Sequence, residues 1–174
     1  MNTSCLLLGS NLGSREKFLK IARDKIDELV GKVIAFSSVF ESKPWGFKSE
    51  NLFLNQALFV NTETEPLNLL VYLKQIEIGI GRESAKTGKR ANEKTSDRNI
   101  DIDIIFFNDL VFESAELTIP HPRFHLRKFA LVPVNEILPD YIHPVLGKKV
   151  SELLLACFDR SNVNRTPLRG AGGL

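Results

Sequence analysis

The sequence contains few of the residues on which disulfide-rich and zinc-binding proteins depend. Its 174 residues include two cysteines, three histidines and one tryptophan. Cys5 and Cys157 lie in apolar runs at opposite ends of the chain, so we expect two buried thiols rather than a disulfide or a metal pair. His121 and His125 lack the glutamate of an H-E-x-x-H zinc helix, and Pro122 directly follows the first of them. This spacing argues against a zinc site.

Long hydrophobic runs and an excess of one charge are also missing. No stretch approaches the ~18 apolar residues that a membrane-spanning helix requires. The start, MNTSCLLLGSNLG, has no basic region before its short apolar run, so it predicts a first strand rather than a signal peptide. The net charge of +2 does not favour nucleic-acid binding. We therefore expect a cytoplasmic protein, a monomer, with neither a membrane nor a nucleic-acid partner.

The hydrophobic patterns that are present predict an α+β fold. We expect apolar strands at 4–8, 32–42, 53–63 and 101–107, and amphipathic helices at about 14–30 and 66–81. The order β-α-β-β-α-β is that of a ferredoxin-like fold, with a mainly antiparallel sheet and helices packed on one face. Short C-terminal additions follow. Residues 1–158 are expected to form a single domain, and the Gly-containing segment 159–174 a flexible tail.

Two aspartates interrupt the otherwise apolar strand DIDIIFF at 101–107. Side chains alternate along a strand, so Asp101 and Asp103 share one face, with Cα atoms roughly 6–7 Å apart, while isoleucines fill the other. The strand could simply have one hydrated face. The apolar run continues to Phe107, however, which predicts a central strand in which a charged pair needs compensation. We favour a Mg²⁺ site, because Mg²⁺ binds through one or two carboxylates plus substrate phosphates and two carboxylates can hold two ions.

The segment before this strand, 81–98, has no large apolar residue and carries six cations against three acidic residues. It could be a hydrated surface loop or a clamp that closes over a polyphosphate. Arg98 adjoins the aspartates and is the member most expected to bind phosphate. His121, between two prolines, is also a candidate for phosphate oxygens. P-loop and Rossmann motifs are missing, so a nucleotide would be bound without either of these phosphate-binding loops.

A set of aromatic residues has no obvious place in the predicted core. Trp45 and Phe47 occur in a polar loop, where burial against a flat ligand is an alternative to ordinary packing. Phe53 and Phe129 belong to the same set. Asn55 lies two residues after Phe53, hence on the same face of its strand. Its amide can pair with the donor and acceptor edge of a heterocycle.

Together these stretches resemble the 6-hydroxymethyl-7,8-dihydropterin pyrophosphokinase family of folate biosynthesis. The matching segments are, in chain order, LGSNLG (8–13), SSVFESKPWG (37–46), FLNQAL (53–58), QIEIGIGR (75–82), DRNIDIDIIFFND (97–109) and LTIPHPRFHLRKFALVPVNEILPD (117–140). The resemblance implies transfer of the pyrophosphoryl group of MgATP to the hydroxymethyl group of the pterin, with AMP as the second product. It also implies a ferredoxin-like fold and two Mg²⁺ ions that arrive with ATP.

The resemblance assigns roles to individual residues of this chain. It implies catalytic roles for Arg82, Arg98, Asp101 and Asp103, with the two aspartates as metal ligands. The implied ATP contacts are Lys74, Glu77, Arg82, Arg98, Ile104, Thr118, His121, Arg123 and Arg127. The implied pterin contacts are Ser42, Pro44, Trp45, Phe53, Asn55, Asp101 and Phe129, with Trp45 and Phe53 on one side of the ring and Phe129 on the other.

The chain departs from the family pattern at several positions. The basic loop is longer than usual, and Thr95, Ser96 and Asp97 replace the Trp-Gly-Pro that commonly precedes the arginine. Lys74 stands where glutamine is frequent, and Glu116 where a basic residue often occurs. We expect these changes to affect ATP affinity and loop closure more than the reaction.

Two other classes of protein share part of these features. A different Mg²⁺-dependent nucleotide enzyme on the same fold would keep the aspartates, but it would need no flat aromatic slot. A non-enzymatic ligand-binding module would give no reason for an acidic pair beside six cations.

Overall fold

A six-stranded sheet and four helices make up most of the fold. The computed structural model describes residues 1–85 and 97–167, with residues 82–85 described by their backbone alone. The sheet contains β1 (Asn2–Ser10), β2 (Lys32–Phe36), β3 (Phe40–Ser42), β4 (Phe53–Thr62), β5 (Asp101–Phe107) and β8 (Val163–Arg165), and β6 (Phe112–Glu113) pairs with β7 (Thr118–Ile119). The helices are α1 (Arg15–Leu29), α2 (Pro66–Ala85), α3 (Lys128–Ile137) and α4 (Val150–Ala156), with a short 3₁₀ helix at Phe124–Leu126.

The strand order confirms the predicted ferredoxin-like arrangement. The strands lie in the spatial order β5-β1-β4-β3-β8, with β2 pairing a further part of β4, and every described pair is antiparallel. Helices α1 and α2 cover one face. The apolar positions of α1, including Leu19, Ala22 and Ile26, recur at helical spacing and are buried against Leu6 and Leu8 of β1.

The opposite face is also covered in part, which differs from the expectation of helices on one face only. Helices α3 and α4 pack there, and a second apolar cluster joins Leu131 and Val134 of α3 to Cys5 of β1 and Ile105 of β5. Both cysteines are buried free thiols, as predicted. No helix in the described part of the chain is long and apolar enough to cross a membrane.

The prediction that 101–107 forms a central strand is wrong. In the sheet β5 pairs with β1 alone and is an edge strand. Its apolar residues are buried because helices cover both faces, with Ile102 and Ile104 facing α1 and α2 and Ile105 facing α3. Along the outer edge, the His121 amide donates to the Ile105 carbonyl at 3.0 Å, which satisfies one backbone group there.

The predicted strand 32–42 is divided into β2 and β3. Between them the Ser37 amide donates to the Ala57 carbonyl at 2.9 Å, and the Ser37 hydroxyl accepts from the Ala57 amide at 2.9 Å. The Ser38 amide and hydroxyl then turn away to donate to Glu136 of α3 at 2.7 and 2.9 Å. Between β2 and β3 the chain is therefore hydrogen-bonded first to β4, through Ser37, and then to α3, through Ser38.

Part of the segment expected to be a flexible tail differs from that prediction. Val163–Arg165 forms β8 and pairs antiparallel with β3. The Thr166 amide and hydroxyl extend this pairing by donating to the Val39 carbonyl at 2.9 and 3.0 Å. Arg165 also pairs with Glu136 at 3.3 Å. Residues 168–174 and 86–96, which include most of the predicted basic clamp, lie outside the described residues.

Candidate active site

A cleft of about 390 Å³ opens where β1 ends and β4 and β5 begin. Antiparallel pairing puts these three strand ends in one place, since Gly9 of β1 is paired with Asn55 of β4 on one side and with Asp101 of β5 on the other. Directly paired residues share a face of the sheet. The asparagine and the aspartate therefore flank a position with no side chain, which leaves room above the row for a ligand.

Most of the predicted site residues line this cleft, although they come from distant parts of the chain. The lining includes Ser42, Trp45, Phe53, Asn55, Lys74, Arg98, Asp101, Asp103, His121, Arg123, Arg127 and Phe129. Twelve of the residues named from the sequence are thus brought together by the fold.

Other predicted residues lie elsewhere. Ile104 is 4% exposed within the core beneath α1 and α2, so its side chain does not face the cleft. Pro44 and Thr118 do not line the cleft, and Glu77 lies behind Lys74. The side chain of Arg82 lies outside the described residues.

The cleft also contains residues that the sequence assignment missed. Leu7, Gly9, Lys43 and Gly46 line it. Phe47, which the sequence offered as a ring against a flat ligand but to which the resemblance gave no contact, lines it as well, and its ring makes an edge contact with Phe53 at 6.1 Å between centroids. Leu7 and Gly9 had no signal in the sequence, because their place depends on strand register.

The guanidinium group of Arg127 lies near two aromatic rings at one end of the cleft. The Cζ atom of Arg127 lies 4.7 Å from the centroid of Trp45 and 5.7 Å from that of Phe129. Both are within cation–π range. The buried Nε of Arg127 has no hydrogen-bond partner among the described residues. A donor left this way is expected to find an acceptor when a ligand binds.

Asn55 is fixed for recognition at the floor of the cleft. It is 1% exposed, and its Nδ2 donates to the Ser42 hydroxyl at 2.9 Å. This bond sets which way the amide points and aims its Oδ1 toward the Gly9 position. A heterocycle with an N–H edge could donate to that oxygen.

The two aspartates differ in their electrostatic surroundings. Asp101 pairs with Arg98 at 2.8 Å. Burial, followed by the charge of Asp101, raises the pKa of the Asp103 carboxyl to about 6. Burial alone would lower the pKa of the Lys74 amine, but the charges of Glu77 and both aspartates raise it. Lys74 is therefore a cation that partly offsets the acidic pair.

Glu77 supports this arrangement from behind the cleft. Its carboxylate accepts from the Lys74 amine at 2.9 Å and from the Ile102 amide, between the two aspartates, at 2.7 Å. Burial raises its pKa. Helix α2 is in this way tied to the strand that carries the acidic pair.

His121 is a neutral donor. Its Nδ1 accepts from the Arg123 amide at 3.2 Å, so the neutral ring carries its hydrogen on Nε2. Burial, then the charges of Arg127 and Arg123, lower its pKa to about 4. At neutral pH the ring can donate one hydrogen bond without adding charge.

The acidic pair fits a hard divalent cation that is shared with a substrate. Two carboxylates face the cleft from one strand face. The pKa of Asp103 is raised first by burial and then by the charge of Asp101, and a bound cation would offset both effects. Among the described residues no cluster of three or more His, Cys, Asp or Glu side chains could hold a metal alone. Mg²⁺ tolerates so few protein ligands because it keeps waters and binds substrate phosphates.

Comparisons with known proteins agree with this geometry. The sequence matches the family described as 7,8-dihydro-6-hydroxymethylpterin-pyrophosphokinase (HPPK) over residues 5–139. It is 37% identical over 152 residues to the Aquifex aeolicus 2-amino-4-hydroxy-6-hydroxymethyldihydropteridine pyrophosphokinase, covering 87% of this chain and 90% of that protein. It is 35% identical to the Dictyostelium discoideum folic acid synthesis protein FOL1, covering 95% of this chain but 24% of that protein.

Solved structures show the same fold. An HPPK-DHPS protein crystallised with substrates superposes with a TM-score of 0.72 at 16% identity, over 89% of this chain and 43% of that one. A wild-type Plasmodium falciparum HPPK-DHPS crystallised with pterin and p-hydroxybenzoate gives a TM-score of 0.67 at 20% identity, over 89% and 41%. This chain therefore spans less than half the length of those two-part proteins. By its sequence match and its fold, the chain belongs to the 7,8-dihydro-6-hydroxymethylpterin-pyrophosphokinase family.

Proposed function

We propose that this protein transfers the pyrophosphoryl group of MgATP to the hydroxymethyl group of 6-hydroxymethyl-7,8-dihydropterin and releases AMP, in folate biosynthesis. The observation that carries the proposal is the row Asn55–Gly9–Asp101. It sets an oriented amide beside an acidic pair, with aromatic rings at the rim. A flat heterocycle read by Asn55 would have its substituent at the aspartates.

The pterin would occupy the aromatic end of the cleft. Trp45, Phe47, Phe53 and Phe129 supply flat apolar contacts, and aromatic pairs of this kind stabilise a bound ring by stacking or edge contacts. Asn55 would orient the ring by its edge. This holds the hydroxymethyl oxygen in one place, which is the main requirement for a transfer reaction.

The polyphosphate of ATP would occupy the cationic end. The hydroxyl oxygen attacks the β-phosphorus and releases its proton to solvent, the bond from that phosphorus to the α-phosphate oxygen breaks with its electron pair staying on that oxygen, and AMP leaves. Arg98 and Arg127 neutralise charge on the transferred group, and Nε2 of His121 donates to a phosphate oxygen. Such transfers depend on positioning and charge neutralisation rather than on a covalent intermediate.

Asp101 and Asp103 would hold two Mg²⁺ ions that arrive with ATP. When bound, the ions supply charge neutralisation and lower the pKa of the attacking hydroxyl. Arg98 would exchange its contact with Asp101 for a contact with a phosphate oxygen. Lys74, where glutamine is frequent in the family, would remain as an additional cation near the acidic pair.

The direct test is an assay of AMP release from ATP. We expect AMP only when both Mg²⁺ and the hydroxymethyl pterin are present, with the pyrophosphorylated pterin formed in equal amount. Removal of Mg²⁺ with EDTA should stop the reaction. AMP release that is independent of the pterin, or its absence under all conditions, would contradict the proposal.

We also propose that the protein acts as a monomer in the cytoplasm. The two buried free thiols suit a reducing compartment. Light scattering after gel filtration should give the mass of one chain, and a dimer would contradict this.

A further inference from the structure

The carboxylate of Asp97 joins two segments beside the cleft. It accepts from Nδ2 of Asn11, just after β1, at 2.7 Å and from Nδ2 of Asn51 at 2.6 Å. The nearby Ser49 hydroxyl and these two amides lower the pKa of the Asp97 carboxyl. Ser49 and Asn51 belong to the loop 43–52 between β3 and β4. One carboxylate thus holds that loop to the end of β1.

Arg98 is held in place without Asp97. Its amide donates to Oδ1 of Asn11 at 2.8 Å, and its carbonyl accepts from the amides of Asn11 and Leu12 at 3.1 and 3.2 Å. Its guanidinium then pairs with Asp101. The backbone of the cationic end is therefore fixed by β1 itself.

The loop 43–52 depends more on its side-chain contacts. Arg15 of α1 donates to the Leu52 carbonyl at 2.6 Å and pairs with Glu41 of β3 at 3.1 Å, so it holds the two ends of the loop. Between those ends the loop carries Trp45 and Phe47 into the cleft. The contacts of Ser49 and Asn51 with Asp97 hold this part toward the acidic strand.

We propose that Asp97 is a positioning residue for the pterin: it holds the loop 43–52 so that Trp45 and Phe47 face the cleft, and it does not touch substrate. Asp97 does not line the cleft. The identity of the ligand at Trp45 rests on the proposed function.

Asp97→Ala should loosen the aromatic loop and leave the cationic end in place. Trp45 is the only tryptophan of the chain, so its quenching by acrylamide reports on the loop. We expect stronger quenching and a KM for the pterin raised about tenfold, as for the loss of hydrogen bonds to a charged group. The KM for ATP should change by less than about twofold, because Arg98 keeps its own contacts. Glu50→Ala, which removes an exposed carboxylate from the same loop, should change neither quantity.

Exchanging the side chains of Asn51 and Asp97 should restore the hydrogen bond between these two positions. Asn51→Asp alone would face Asp97 with a second carboxylate and should reproduce the defect. Asn51→Asp combined with Asp97→Asn restores one donor and one acceptor in reverse order, and it should recover quenching and pterin KM. Unchanged quenching and pterin KM in Asp97→Ala, or a double variant no better than Asn51→Asp, would overturn the proposal.

These outcomes are separate from those of the proposed function. Trp45 quenching is measured on the free protein, so it tests the role of Asp97 even if the wild-type chain releases no AMP. Thermal unfolding shows whether each variant folds. If Asp97→Ala does not fold, Asn51→Ala removes one donor to the same carboxylate and should give the same changes at smaller size.

Discussion

At the scale of single residues, the Asp103 carboxylate lowers the stability of the ligand-free protein. Burial and the charge of Asp101 raise the pKa of its carboxyl from 3.8 to about 6. A carboxyl with a raised pKa lowers stability as the pH rises from its unfolded pKa to its folded pKa, and the cost stays constant above the latter. The Asp103 carboxylate therefore weakens the fold at neutral pH, and a bound cation would offset this cost.

Asp103→Asn should consequently raise the stability of the protein while lowering its activity. We expect AMP release to fall by about 10³-fold, because the cation loses a ligand. The free energy of unfolding should rise by about 1–3 kcal/mol at about pH 8, and the gain should disappear near pH 4, where the wild-type carboxyl is protonated. Thermal unfolding at both pH values, without Mg²⁺, measures this. Full turnover in the variant would contradict the metal assignment.

Phe53 tests the aromatic end of the cleft. Phe53→Ala removes the ring that lies next to Asn55 and contacts Phe47. We expect the KM for the pterin to rise roughly tenfold with the KM for ATP unchanged, since aromatic contacts contribute about 1 kcal/mol beyond burial. Phe36→Ala, on an exposed part of β2, is the matched control and should leave both constants unchanged. An equal rise in both constants would indicate a general structural defect.

At the scale of elements, the hydrophobic periodicity of the sequence predicts each helix and strand, but it does not predict which other elements pack against them. The spacing of Leu19, Ala22 and Ile26 gives α1, and the alternation of Asp101 and Asp103 with isoleucines gives the two faces of β5. Whether β5 is central or at an edge depends on what covers its faces, and helices distant in sequence provide that cover. A continuous apolar run therefore cannot distinguish the two cases.

The same limit applies to the site. Residues with distinctive chemistry, such as the aspartates, the arginines and Trp45, could be named from the sequence. Gly9 and Leu7 could not, because only strand register places them beside Asn55 and Asp103. Ile104 shows the opposite error: it neighbours Asp103 in sequence, and strand alternation turns it into the core.

Strand β8 gives a prediction at this scale. Removal of residues 159–174 would expose the edge of β3, break the contacts of Thr166 with Val39 and free Glu136 from Arg165. We expect a lower unfolding temperature and a raised KM for the pterin, because β3 leads into the loop that carries Trp45. An exposed edge also favours association. Removal of residues 168–174 alone is the control and leaves β8 intact. An unchanged unfolding temperature in the longer truncation would mean that β8 adds no stability.

At the scale of the whole molecule, the net positive charge is small, but positively charged side chains are concentrated at the cleft. The net charge is +2, yet the cleft is lined by Lys43, Lys74, Arg98, Arg123 and Arg127 against two aspartates. Such a local excess attracts a polyphosphate over a distance comparable to the Debye length. It should have little influence on a pterin with no net charge.

Ionic strength should therefore act on the two substrates differently. Between about 0.05 M and 0.5 M salt the screening length falls severalfold, so the KM for ATP should rise while the KM for the pterin stays nearly constant. Initial rates measured at saturating concentrations of the other substrate give both constants. Lys43→Gln should make the KM for ATP less dependent on salt concentration, because it removes one cation from the rim of the cleft without altering the aromatic end. Lys17→Gln, on the exposed surface of α1, changes the net charge equally and should leave this salt dependence unchanged. Equal salt dependence for both substrates would show that the cationic lining does not select the polyphosphate.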